Sequence, residues 1–161
     1  MDVRRLGPQD WALWRDVRLA ALADSPRAFG STLEREQAFD EDRWRAWLEP
    51  AKGLKAVARE SEGTAGIVGV WVPEDRDGAG ELFSMWVHPA WRGRGAGDLL
   101  VTEAIAWAGE RGLTALDLWV VGDNVAARRL YERHGFRPTG EAQPYPPDPS
   151  VVEYVMRCEI S

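Results

Sequence analysis

The chain has 161 residues, 45% of them hydrophobic and 29% charged, with a formal net charge of −6 and a sequence pI near 5.0. This fits a single domain spanning 1–161 with a sizeable core, and the acidic balance argues against nucleic acid while mildly suiting a cationic partner. The single cysteine, Cys158, excludes an internal disulfide and a cysteine metal cluster. With no signal-peptide h-region and no apolar run near ~20 residues, a cytoplasmic setting without membrane is expected.

Val3 to Leu6 reads as a short strand. Gly7-Pro8-Gln9-Asp10 then opens a helix with Trp11, Trp14, Val17, Leu19 and Leu22 near helical spacing, stopped by Ser25-Pro26. Asp40 has the chemistry of an N-cap for a second helix carrying Trp44, Trp47 and Leu48, ended by Pro50. Lys55 to Glu60 and Gly66 to Val72 read as strands joined by a turn around Glu62-Gly63, and Asp77-Gly78 marks the next turn. Glu81 to Val87 is a fourth strand, closed by His88-Pro89. A long helix runs from Gly95 to about Arg111, with Gly112 as its stop signal. Leu113 to Val121 is nearly all apolar, as a central strand would be. Asp123 or Asn124 caps a helix that reaches His134 and ends at Gly135. Phe136 to Gly140 and Val151 to Glu159 are the last strands, and Pro144 to Pro149 is expected to make a stiff loop between them. The order β-α-α-β-β-β-α-β-α-β-β describes a mixed α/β domain.

The densest chemical signal is Arg92-Gly93-Arg94-Gly95-Ala96-Gly97 running into Asp98-Leu99-Leu100-Val101. A glycine-rich loop that opens a helix aims free N–H groups and the positive end of a dipole at one place, which suits phosphate. A mononucleotide P-loop would need a lysine here, and there is none. A dinucleotide fold would need Gly-x-Gly-x-x-Gly after the first strand, with an acid about twenty residues on. Asp117 sits near that distance, but the spacing and the strand do not match. Taken alone, the loop is equally a tight β-to-α connection.

The segment from Asn124 to Phe136 separates these readings. Asn124 and Tyr131 lie seven residues apart, two helical turns, and so share a face. The Asn124 amide is suited to a polar ligand or to capping, and the Tyr131 hydroxyl to giving a proton or simply packing. Together with Val87-His88-Pro89-Ala90-Trp91-Arg92-Gly93-Arg94-Gly95-Ala96-Gly97, this segment resembles the GNAT superfamily of acetyl-CoA-dependent N-acetyltransferases. The strand order fits over almost the whole length.

The resemblance implies a mixed, mostly antiparallel sheet of about seven strands flanked by about four helices, with the fourth and fifth strands splayed apart. It implies acetyl-CoA as co-substrate, its pyrophosphate on the amides of Gly93, Arg94, Gly95, Ala96, Gly97 and Asp98 and its pantetheine arm on the backbone of Met85, Trp86 and Val87. Asn124 matches the family's pantetheine-facing asparagine and Tyr131 its general acid. Glu81, eleven residues before Arg92, is the candidate base by its offset in the histone-modifying branch. The fifth-strand glutamate of other branches is replaced by Trp119. His88 and Asp117 are lesser candidates. Arg92, Arg94, Arg128, Arg129 and Arg133 are expected near the phosphates.

A primary amine, of a small molecule or a peptide, would be the acceptor. The first two helices and the proline loop would enclose it, with Phe29, Trp44, Trp47 and Tyr145 as walls or as plain packing. The segment Arg18 to Pro26 with Ala28-Phe29-Gly30 resembles the opening of many bacterial members. A non-catalytic acyl-CoA-binding module of the same fold is the alternative, a dinucleotide-dependent oxidoreductase a distant third, and a homodimer is compatible with either acyl-CoA reading.

Overall fold

The computed structural model describes residues 1–26, 29–61, 63–75 and 77–161. Its strands are β1 (Asp2–Arg5), β2 (Leu54–Glu60), β3 (Gly63–Trp71), β4 (Ala79–Val87), β5 (Ala115–Val121), β6 (Arg137–Tyr145) and β7 (Asp148–Glu159). The helices among the described residues are α1 (Trp11–Asp24), α2 (Leu33–Gln37), α3 (Glu41–Trp47), α4 (Ala96–Glu110) and α5 (Val125–Arg133). The strands form one sheet in the order β1-β2-β3-β4-β5-β7-β6. Every neighbouring pair is antiparallel except β4 and β5. The mixed, mostly antiparallel sheet is as expected, and so is the element order apart from one additional helix, α2, before β2.

Alternation along the strands sends apolar side chains to both faces, so the sheet sits between two helical layers. On one face Val68, Leu82, Leu116, Leu118 and Met156 pack with Leu100, Val101, Ala104 and Trp107 of α4 and Tyr131 of α5. On the other, Val57, Ile67 and Trp86 pack with Trp14, Val17 and Ala21 of α1 and Trp44 of α3. Trp14 stands edge-on to Trp47, with ring centroids 5.5 Å apart.

Four local features depart from the sequence reading. Pro8–Asp10 is a 3-10 turn, so α1 begins only at Trp11. Leu33–Gln37 forms an additional helix, making five; Thr32 caps it by accepting a hydrogen bond from the Arg35 N–H. Its polar sequence has no apolar stripe, which is why periodicity missed it. The proline cluster is not a loop. β6 runs through Pro144 to Tyr145, which pairs with Asp148, so only Pro146 and Pro147 turn the hairpin. β6 is an edge strand, where proline costs no ladder bond on the open side. Asp117, in the apolar run of β5, is buried and paired with Arg157 of β7 at 2.6 and 2.9 Å. Glu62 of the expected β2–β3 turn and Ala28 of the opening segment lie outside the described residues.

Candidate active site

β4 and β5 pair over only three positions, Ala79 with Ala115, Gly80 with Leu116 and Glu81 with Asp117. β4 then continues to Val87 and β5 to Val121 without further pairing between them, so the two strands splay apart as expected. The register of β4 against β3 slips beside Ser84, a buried residue with φ of +58°, before resuming at Trp86. A non-glycine residue there marks a bulge. It is held by the Arg18 guanidinium of α1, which donates to Ser84 Oγ and makes two 2.8 Å bonds to Glu36 of α2.

Two clefts open from the splay. The first, about 810 Å³, is lined by Met85, Trp86, Val87, Trp91, Arg92, Gly93, Gly95, Ala96, Gly97 and Asp98, and by Arg129 and Arg133 of α5. Here the three glycines divide their work. Gly93 (φ +77°) and Gly95 (φ +88°) occupy the left-handed region, with open space where a Cβ would project. Gly97 has ordinary backbone, but a Cβ on it would come within 3.1 Å of Leu130 Cδ2 and 3.6 Å of Met85 Cε. It lets α4 approach α5 and β4. Gly95 caps α4 without a side chain, and the first backbone bond of the helix closes at Leu99 N–H to Gly95 O, 3.1 Å. The N–H groups of Gly93, Gly95, Ala96, Gly97 and Asp98, residues that line the cleft, make no backbone hydrogen bond among the described residues.

The Asp98 carboxylate is turned to other work. It is 2.7 Å from His134 Nε2 and 3.1 Å from Arg133, and those hydrogen bonds hold it below the ordinary carboxylate range. Only the backbone of Asp98 fits an anion-binding role. Arg92 donates to Val87 O at 3.0 Å and to Asp24 at 2.7 Å, tying the glycine loop to the end of α1. Of the other expected arginines, Arg94 stacks over Trp91, with its guanidinium 5.0 Å from the ring centre. Arg128 donates to Gly122 O at 3.3 Å.

The second cleft, about 740 Å³, lies on the α1 side. It is walled by Phe29, Phe83, Trp119, Tyr145 and Pro146 and carries the carboxylates Asp24, Glu81, Asp123 and Glu153. No lysine, arginine or histidine lines it among the described residues. Glu81 Oε2 accepts a 2.6 Å bond from Trp71 Nε1, and buried Glu153 accepts one from Gln143, also at 2.6 Å. The Tyr145 hydroxyl accepts from Gly30 N–H at 3.2 Å, fastening the β6–β7 hairpin to the segment after α1.

The two clefts share Ser25, Met85, Asn124, Ala127 and Tyr131. Asn124 Oδ1 caps α5 by accepting from Ala127 N–H at 3.1 Å, which leaves its amide N–H groups for other partners. Tyr131 is buried, and its hydroxyl makes no hydrogen bond among the described residues. Burial pushes its pKa well above the ordinary value of about 10.

Of the predicted walls, Phe29 and Tyr145 line the second cleft. Trp44 is core, and Trp47 stacks on Phe83 with centroids 6.0 Å apart, outside that cleft. Asp117 is spent on Arg157, and His88 Nδ1 accepts from Ala90 N–H at 3.0 Å to cap a 3-10 turn; neither lines a cleft. Sequence reasoning missed Asp24, Gln143 and Glu153. Glu153, Val155 and Arg157 alternate along β7, a visible period-2 signal, but nothing in the spacing says which face meets a cleft.

This constellation, an amide-rich helix start beside a forked sheet, is that of an acyltransferase fold, and residues 15–136 match the acetyltransferase (GNAT) family. The chain belongs to that family. It is 37% identical over 126 residues to a mycothiol acetyltransferase of Rhodococcus opacus, covering 74% of this chain and 40% of that one. It is 30% identical over 125 residues to the Beutenbergia cavernae protein of the same name, covering 78% and 40%. The chain thus spans about two fifths of the length of these curated relatives. Among solved structures, a GNAT-family acetyltransferase of Streptococcus pneumoniae superposes with a TM-score of 0.81 at 26% identity, covering 99% of this chain and 98% of that one. The yncA protein of Salmonella typhimurium, solved with its cofactor acetyl-CoA, shares the fold with a TM-score of 0.78 at 22% identity, covering 100% and 94%. No helix among the described residues is long and apolar enough to cross a membrane.

Proposed function

We propose that this chain is an N-acetyltransferase that moves the acetyl group of acetyl-CoA to a primary amine by direct attack in a ternary complex. The observation that carries this reading is the meeting of two clefts of opposite character at Tyr131 and Asn124. One offers arginines and free helix-start N–H groups. The other offers the carboxylates Glu81 and Glu153, held by the neutral donors Trp71 and Gln143.

Coenzyme A lies along the first cleft. Its diphosphate sits on the N–H groups from Gly93 to Asp98, with Arg92, Arg129 and Arg133 alongside. The pantetheine arm follows Met85, Trp86 and Val87, where β4 has no β5 partner, and meets the Asn124 amide. The same strand edge provides the N–H donors that polarise the thioester carbonyl and stabilise the tetrahedral oxyanion.

An alkyl amine of pKa about 10.4 is protonated at neutral pH and must lose a proton before it attacks. Glu81, in the second cleft, takes that proton. The N–C bond forms, the C–S bond breaks, the nitrogen gives up its second proton to solvent water as the amide forms, and sulfur leaves as thiolate beside Tyr131. The raised pKa of Tyr131 keeps the phenol protonated and makes complete transfer to a free thiolate uphill. Tyr131 therefore serves the departing sulfur chiefly as a hydrogen-bond donor. The carboxylates of the second cleft favour a cationic acceptor.

The test is release of free thiol from acetyl-CoA across a panel of primary amines, with the acetylated amine identified by mass. Turnover with at least one amine, abolished when the amine is omitted, supports the reading. Tight binding of coenzyme A with no turnover on any amine would favour the non-catalytic binding module instead.

A further inference from the structure

The chain contains only two lysines, Lys52 and Lys55, and both line one pocket. This pocket, about 520 Å³, lies apart from the clefts described above, although Phe83 is a wall common to it and the acceptor cleft. Its other walls are Trp47, Ala51, Trp71 and Val72, and among the described residues no carboxylate lines it. Lys55 stands on β2 opposite Gly69 of β3, which in turn faces Phe83 of β4. Gly69 has no side chain, so the lysine stem and the Phe83 ring share the space above it. A Cβ there would come within 2.6 Å of that ring.

Lys55 is 2% exposed, yet its ammonium makes no hydrogen bond or ion pair among the described residues. It stands over two aromatic faces, Trp47 at 5.9 Å and Phe83 at 5.8 Å. Burial, with a smaller push from Lys52, lowers its pKa to about 8. A buried cation that, among the described residues, has ring faces but no carboxylate or hydrogen-bond acceptor is poorly compensated, and an anion would complete it. Trp71 and Val72 at the rim are 44% and 41% exposed, so the mouth presents apolar surface to water. The volume is within the ordinary range for small-molecule sites.

We propose that this pocket binds a small carboxylate carried on a flat apolar body, with the carboxylate on Lys55, Lys52 beside it and the body between Trp47, Phe83 and Trp71. The polarity is opposite to that of the acceptor cleft across Phe83, so a cationic amine and this ligand do not compete for one place. The site does not depend on acetyl transfer, and its test uses no acetyl-CoA.

The probe is 2-naphthoate, with 2-naphthamide as its uncharged counterpart. In lysine-labelled protein the two lysines give two sets of side-chain resonances. Naphthoate is expected to shift the Lys55 set with saturation, and the amide to bind at least tenfold more weakly by calorimetry. Lys55→Met removes an unpaired buried charge at similar volume, so it should fold, and it should weaken naphthoate binding at least tenfold. Equal binding of acid and amide to the unaltered protein would overturn the proposal without recourse to any variant. So would naphthoate binding that leaves the Lys55 resonances unmoved or survives Lys55→Met undiminished.

Discussion

Trp71 and Glu81 stand opposite each other in the register of β3 and β4, and the indole Nε1 donates to the Glu81 carboxylate at 2.6 Å. On its other side, Glu81 is in register with Asp117 of β5, the last pairing before β4 and β5 part. The carboxylate is thus aimed at the mouth of the fork by a neutral donor, which fixes its direction without adding a countercharge.

Glu81→Gln preserves an acceptor for the indole but cannot take a proton. Its kcat/KM for the acceptor should fall by about 100-fold or more, the usual scale for a positioned base, with little change in melting temperature. Trp71→Phe keeps the carboxylate but releases it, and should cost less, about tenfold. Steady-state rates on the two variants check the order; Glu81→Gln with wild-type rates would remove Glu81 from the chemistry.

Tyr131→Phe should lower kcat while leaving the affinity for coenzyme A within about twofold, because the lost hydroxyl makes no bond among the described residues. The raised pKa has a second consequence. The folded state disfavours the phenolate, so the stabilisation is fully present below the unfolded pKa of about 10 and is lost progressively as pH rises from there through the higher folded value. Denaturant melts across pH 8 to 11 should show the unaltered protein losing more stability than Tyr131→Phe does. Parallel curves would contradict the burial of this phenol.

Gly95→Ala forces a left-handed backbone on a residue with a Cβ, a strain of about 1–2 kcal/mol. Relief of that strain would turn the helix-start N–H groups away, and 1.4 kcal/mol is a factor of ten in affinity. Coenzyme A binding by calorimetry should weaken about tenfold or more. Gly97→Ala acts by crowding Leu130 at 3.1 Å, so Leu130→Ala should restore part of what it loses. The same second change should do nothing for Gly95→Ala.

Arg18 and Glu36 form a buried pair, with side chains 5% and 3% exposed. Arg18→Met strands a carboxylate and Glu36→Gln strands a guanidinium, each at about 3–5 kcal/mol. Replacing both with apolar residues should cost less than either alone. Denaturant titrations of the two singles and the double decide it. Arg18→Met should also raise KM for acetyl-CoA, because the Arg18 bond to Ser84 secures the bulge that precedes Met85, Trp86 and Val87.

The glycine run and the spacing from Asn124 to Tyr131 were legible because both depend on local rules. Left-handed φ needs glycine, and seven residues are two helical turns. The missed helix α2 and the continuous β6–β7 hairpin followed different rules. α2 rests on its Thr32 cap and on Glu36 reaching Arg18 eighteen positions away, and β6 survives its prolines because it is an edge strand.

By itself, the sequence determined the order of the strands, the family resemblance and the glycine-opened start of α4, since each is written in contiguous residues. Which carboxylates share a cleft was decided only by tertiary structure. The register of β5 against β7 turned Asp117 onto Arg157, and the fork between β4 and β5 left Glu81 and Glu153 facing one space. Side-chain direction in a sheet depends on pairing across strands far apart in the chain, and local spacing carries no record of it.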